Sequence, residues 1–155
     1  MALDPELVRD CLYDESGLLF DEVLSIDRER STIRVRMPTH ADLPLTRSQR
    51  ADPVRHPRHV SGGLMVHMSA MVGYAHAFYC LDLRHADGWV GYGAIIHKVR
   101  YPNLARVGEP LELEARATQV RRGGERRLIA RYSFLFEQAG VAVYEGDQTA
   151  VWNRL

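Results

Sequence analysis

Cysteine is scarce. Only Cys11 and Cys80 occur in 155 residues. They have no C-x-x-C spacing and build no disulfide framework, so a reduced, cytoplasmic setting is expected. Net charge is absent as well. Lys plus Arg and Asp plus Glu both count 20, which argues against a dedicated nucleic-acid binder, whose domain is usually strongly basic. The opening MALDPELVRD has neither a basic n-region nor an apolar h-region, so no secretory signal is expected there. The longest apolar stretch, 60–83, is interrupted by His67, Ser69 and His76 and holds three glycines. A buried core helix explains it better than a membrane span. Carboxylates are missing from the middle of the chain: after Asp52 the next acidic residue is Asp82.

What is present has an ordinary globular balance, with 46% hydrophobic and 26% charged residues, and the length suits one domain with a real core, 1–155. DPELVRDCL (4–12) reads as a short helix, with Asp4 as N-cap and Pro5 in the first turn. Residues 17–27 and 31–38 read as two strands around the polar turn DRER. In the second, Ile33, Val35 and Met37 alternate with Thr32, Arg34 and Arg36. Residues 39–61 form a long irregular loop, locally basic through Arg47, Arg50, Arg55 and Arg58, and loops of this length are often functional. From Gly62 to about Leu83 the spacing predicts a helix with Leu64, Met68, Met71, Ala75 and Phe78 on one face. Its other faces are apolar too, so it should be central. Four strands follow, 89–101, 111–121, 127–137 and 141–152, expected as a meander with tight turns at RRGGER (121–126) and QAG (138–140). This is an α+β pattern, an antiparallel sheet wrapped on one buried helix. Its open edges suggest a homodimer or a dimer of dimers.

The run RHPRHVSGGLMVHMSA (55–70), the segment KVRYPNLARVGEPLELEA (98–115) and the closing strands together resemble the hotdog fold of acyl-thioester thioesterases and 3-hydroxyacyl dehydratases, over roughly residues 17–152. Tyr101 and VGEPL stand where that family has an aromatic residue and a Pro-rich crossover. The resemblance implies an enzyme acting on an acyl-CoA or acyl-carrier-protein thioester, with the acyl chain at a dimer interface. In the dehydratases a carboxylate stands on the helix five positions after the glycine. Here that position is His67. RHVSGGL is also similar to the helix start of a group of fatty-acyl-CoA thioesterases that work without an acidic nucleophile, with His59 in the position of its histidine. Hydrolysis is therefore the first expectation. Dehydration or hydration of a 3-hydroxyacyl thioester is the second, and a non-catalytic acyl-binding or dimerising module is the third.

Thioester hydrolysis needs an activated water and a site for the oxyanion. A helix N-terminus offers backbone N–H groups and partial positive charge, and Gly62 and Gly63 allow close approach to them. The alternative is that the glycines merely permit tight packing. His59, three residues before the helix, is a candidate base, or else a loop histidine capping backbone or binding phosphate. His67 is a group that orients water or the thioester carbonyl, or a core histidine bonded to a neighbouring backbone group. Ser61 is a nucleophile or, more in keeping with its place, the helix N-cap. His56, Arg55 and Arg58 are candidates for substrate phosphates or an acidic carrier face. Tyr74 and Tyr92 are candidates for ligand contact, as is His97, for which a cross-strand partner is the alternative. H-x-x-H without a nearby carboxylate or cysteine ligand is no metal signature, so neither a metal nor a cofactor is expected.

Overall fold

The computed structural model describes residues 2–155. The chain opens with two short helices rather than one, α1 (Pro5–Asp10) and α2 (Glu15–Leu18). Asp4 caps α1, accepting from the Glu6 N–H, and Asp14 caps α2, accepting from the Ser16 N–H. The strand expected from residue 17 therefore starts only at β1 (Glu22–Asp27). The Asp14 cap holds Gly17 and Leu18 in α2, and Leu19 ends that helix with a positive φ of 61°. A tight turn leads to β2 (Thr32–Met37), in which Ile33, Val35 and Met37 are buried as their alternation predicts.

Helix α3 runs from Gly62 to Cys80, three residues shorter at its end than expected, because Asp82 adopts a positive φ of 54°. A 3-10 turn, His85–Asp87, leads to the remaining strands: β3 (Trp89–Arg100), β4 (Leu111–Arg122), β5 (Arg127–Gln138) and β6 (Val141–Arg154). Within the described residues these six strands form one antiparallel sheet in the order β1-β2-β4-β5-β6-β3. The expected four-strand meander is thus corrected to three. β3 pairs with β6 at the sheet edge, and residues 101–110 carry the chain across to β4, which pairs with β2.

The sheet curls around α3, whose Leu64, Met68, Met71, Val72, Ala75 and Phe78 are all buried. A buried polar side chain, His76, pins the helix to the sheet. Its Nδ1 lies 3.0 Å from the Tyr132 hydroxyl of β5 and its Nε2 lies 2.9 Å from the Ser31 carbonyl in the β1–β2 turn. The carbonyl can only accept, so Nε2 carries the proton and Nδ1 accepts from Tyr132. On the outer face Arg36 pairs with Asp21 and Arg131 with Asp147 across strands. No helix among the described residues is long and apolar enough to cross a membrane.

Burial lowers the pKa of His76 from 6.5 to about 4, against a smaller upward pull from the Ser31 backbone. The folded state therefore resists a proton that the unfolded chain accepts below about pH 6.5. Stability should be full above neutrality and decline as pH falls from 6.5 towards 4, by on the order of 3 kcal/mol for this group. Urea titrations across that range would reveal the slope, and His76→Phe should flatten it.

Candidate active site

The approach to α3 is held by a polar clasp that the sequence did not announce. Gln49 grips the His59 backbone from both sides, donating to its carbonyl at 2.9 Å and accepting from its N–H at 3.1 Å. Thr46 donates to the same carbonyl, and the Arg58 guanidinium reaches the carbonyls of Thr46 (2.7 Å) and Gln49 (3.1 Å). Arg58, a phosphate candidate by sequence, thus holds the loop in place. Gln49 and Thr46 lie in an irregular, proline-rich stretch, where no periodicity marks a side chain as inward-facing. Arg55 and His56 are exposed, and the His56 ring meets that of His59 edge-on, with centroids 5.1 Å apart.

His59 is only partly buried. Its Nδ1 lies 2.7 Å from the Pro57 carbonyl. That nitrogen must be the donor, which leaves Nε2 as the basic nitrogen. Two residues on, Ser61 is the N-cap of α3 and its hydroxyl accepts from the Gly63 N–H at 3.3 Å. Gly62 is needed for packing as well: a Cβ there would lie 2.9 Å from the Tyr101 ring, and the Tyr101 hydroxyl donates to the Gly62 carbonyl at 3.1 Å.

His67 stands apart from this group. Its Nε2 donates to the Gly17 carbonyl at 2.7 Å and its ring meets Tyr13 edge-on. Its contacts therefore tie α3 to α2. His97 reaches the Thr149 hydroxyl at 2.7 Å across to β6. The pairing of β3 with β6 is irregular on both sides of this region, between Gly93 and Ile95 and between Ile96 and Lys98. Among the described residues no group of three His, Cys, Asp or Glu side chains gathers as metal ligands would.

A cavity of about 440 Å³ lies between α3, the N-terminal segment and strands β3, β5 and β6. Met71, Tyr92, Tyr132, Phe134 and Trp152 supply apolar and aromatic wall, and Tyr74 lines it too. Two polar groups break that wall. In one, the Ser69 hydroxyl lies 2.7 Å from the Val66 carbonyl and 3.0 Å from the Gln148 side-chain oxygen, and Gln148 donates to the Tyr144 hydroxyl at 2.7 Å. In the other, Tyr74 donates to Asp10 at 2.6 Å, and Asp10 also accepts from the backbone N–H groups of His85 and Ala86. Burial pulls the Asp10 pKa upward, but the hydrogen bonds from Tyr74, Ala86 and His85 outweigh it and hold the carboxyl below the usual aspartate value. Sequence reading singled out Tyr74 and Tyr92 but missed Asp10, Ser69, His85 and Gln148, which come together only through contacts across most of the chain.

No family model and no curated protein matches the sequence. Solved structures do match the fold. A chain of a dehydratase heterocomplex of Xenorhabdus doucetiae superposes with a TM-score of 0.67 at 12% identity, covering 99% of this chain and 93% of that one. A thioesterase of Pseudomonas aeruginosa gives 0.65 at 16%, covering 100% and 97%. A hypothetical thioesterase of Streptococcus pneumoniae, solved with coenzyme A, gives 0.56 at 9%, covering 86% and 85%. The six-stranded antiparallel sheet around one long helix is the hotdog fold.

The cap geometry makes a direct prediction. Ser61→Ala should cost about 1 kcal/mol of stability, and Ser61→Asn should restore most of it. Urea midpoints of the two variants against the parent protein decide it.

Proposed function

We propose that this protein hydrolyses an acyl thioester carried on coenzyme A or a carrier protein. His59 is the base, and backbone N–H groups at the start of α3, other than that of Gly63, which Ser61 caps, receive the oxyanion. The observation that carries this reading is the cavity. It is apolar for most of its wall, and Ser69 and Tyr74 of α3 line it. From Gly62 to Ser69 is about 10 Å along the helix. In this reading a thioester at the helix start sends its acyl chain along α3 into that space.

In the reaction His59 Nε2 takes a proton from water, and the oxygen adds to the thioester carbonyl. The resulting oxyanion meets the positive end of the α3 dipole. The carbon–sulfur bond then breaks, and the thiolate leaves with a proton from the imidazolium. The Gln49 clasp supports this assignment, since it fixes the backbone that presents the ring. The Pro57 contact supports it too, since it selects the tautomer that a base at Nε2 requires. Arg55 and His56, both exposed beside His59, are the groups on that side for a phosphate or an acidic carrier surface. Dehydration is the less favoured chemistry, because His67, at the acidic position of that mechanism, has its Nε2 bonded to Gly17.

The same reading includes a second copy of the chain. β3 leaves one edge unpaired, and Tyr92, Ile95 and Ile96 on it are each more than half exposed. An exposed apolar edge strand favours pairing. Tyr92 belongs both to that edge and to the cavity wall, so edge pairing would close the cavity where β3 bounds it.

Two outcomes follow. His59→Ala should lower turnover of acyl-CoA thioesters by about a hundredfold or more, read as free thiol against time, with thermal unfolding unchanged. Turnover that survives the substitution intact rejects His59 as the base. Ile96→Arg should convert the dimer to monomer in light scattering. A parent protein that is already monomeric rejects edge pairing.

A further inference from the structure

His85 lies outside the machinery just described, yet it lines the cavity. Its surroundings fix its chemistry more tightly than those of most surface histidines. The ring stacks on Tyr74, with centroids 5.2 Å apart and planes 8° from parallel, and the side chain is only 15% exposed. Its backbone N–H is held by the Asp10 carboxylate at 2.9 Å, and the next residue's N–H by the same carboxylate at 2.8 Å. Its Nδ1 is in close hydrogen-bonding contact with the Asp10 backbone carbonyl. A carbonyl cannot donate, so Nδ1 carries a proton, and in the neutral imidazole Nε2 is the acceptor. The Asp10 side chain, 7% exposed, thus joins α1, Tyr74 of α3 and the 3-10 turn into one rigid unit. That unit fixes a histidine ring in the wall of a largely apolar cavity.

The position along the helix indicates which part of a ligand would meet it. Tyr74 lies five residues beyond Ser69, about 7 Å further along α3 from the helix start. An acyl chain lying along α3 would pass the Ser69–Gln148 pair first and reach the His85 end last. Of the polar groups in the wall, Ser69 is engaged with Gln148, Gln148 with Tyr144, Tyr74 with Asp10 and Thr149 with His97, and the Tyr13 and Tyr92 side chains also line the cavity. An apolar chain end would bury the Nε2 lone pair without a partner, whereas a hydroxyl would satisfy it.

We propose that His85 is a specificity residue and that the protein prefers acyl groups carrying a hydroxyl at the end remote from the thioester. The inference rests on the acyl-thioester reading for the identity of the ligand, but not on hydrolysis. Asp10 is the positioning residue, since it sets both the ring's tautomer and its orientation.

The test uses pantetheine thioesters, the arm common to coenzyme A and carrier proteins. Octanoyl, decanoyl and dodecanoyl thioesters are compared, each with and without a terminal hydroxyl. Binding is read from tryptophan fluorescence, to which Trp152 in the cavity wall contributes, so no turnover is needed. For at least one chain length the hydroxylated ligand should bind about tenfold more tightly. His85→Phe, which keeps the stacking on Tyr74, should bring that ratio to within twofold of unity. His85→Gln, which restores an acceptor, should recover part of it. Thermal unfolding of both variants confirms that they fold. Equal binding of the paired ligands at every length, no binding of either, or a preference that survives His85→Phe overturns the proposal. A hydroxyl preference in binding with no thiol release would uphold it while rejecting hydrolysis.

Discussion

A helix with no polar face has to be enclosed. α3 carries apolar side chains on nearly every side, so no single flat surface can cover it, and the sheet must curl. The packing is made specific by one buried polar group. His76 accepts from Tyr132 on one strand and donates to Ser31 in a distant turn, so the helix can neither rotate nor slide without stranding polar atoms in a dry interior. Removing those bonds costs more than the bonds themselves contribute, because their partners lose water as well as protein. The positions of the approach loop, the cavity and the edge strand follow from where this helix is held.

Around that helix the protein separates two kinds of chemistry. At its start, a basic loop presents His59 to a helix N-terminus. Two to three turns further on, the wall is aromatic and apolar, interrupted by two small hydrogen-bonded groups. The arrangement suits a ligand with a polar reactive head and a long apolar body. Volume favours the same view, since about 440 Å³ is within the range of small-molecule sites. The free edge at β3 touches the same cavity through Tyr92.

Local physics made some residues readable. Asp4 and Ser61 precede helical stretches and act as caps through side-chain oxygens, as their chemistry dictates. Ile33, Val35 and Met37 alternate and are buried together. Other readings failed. The stretch 17–21 has apolar residues suited to a strand, but Asp14 caps a helical turn first. The four closing strands read as one meander, but β3 pairs with β6 at the sheet edge and not with β4. The site was less legible than the fold. His59 and the glycines were visible from their place before a helix. Gln49, Asp10, His85 and Gln148 carry no such signature.

The sequence by itself determined most element types, the centrality of α3 and the α+β class, because these follow from hydrophobic period, capping chemistry and turn residues within a few positions of each other. It also placed a histidine at the mouth of a glycine-started helix. Only the tertiary structure decided strand order, since pairing β3 with β6 rather than β4 depends on how residues 101–110 cross the sheet. It alone decided that His67 binds Gly17 while His85 meets Asp10. Those partners are 50 and 75 residues apart. A histidine's role is set by which acceptor or donor lies within three ångströms of each ring nitrogen, a distance that folding creates and sequence separation does not reveal.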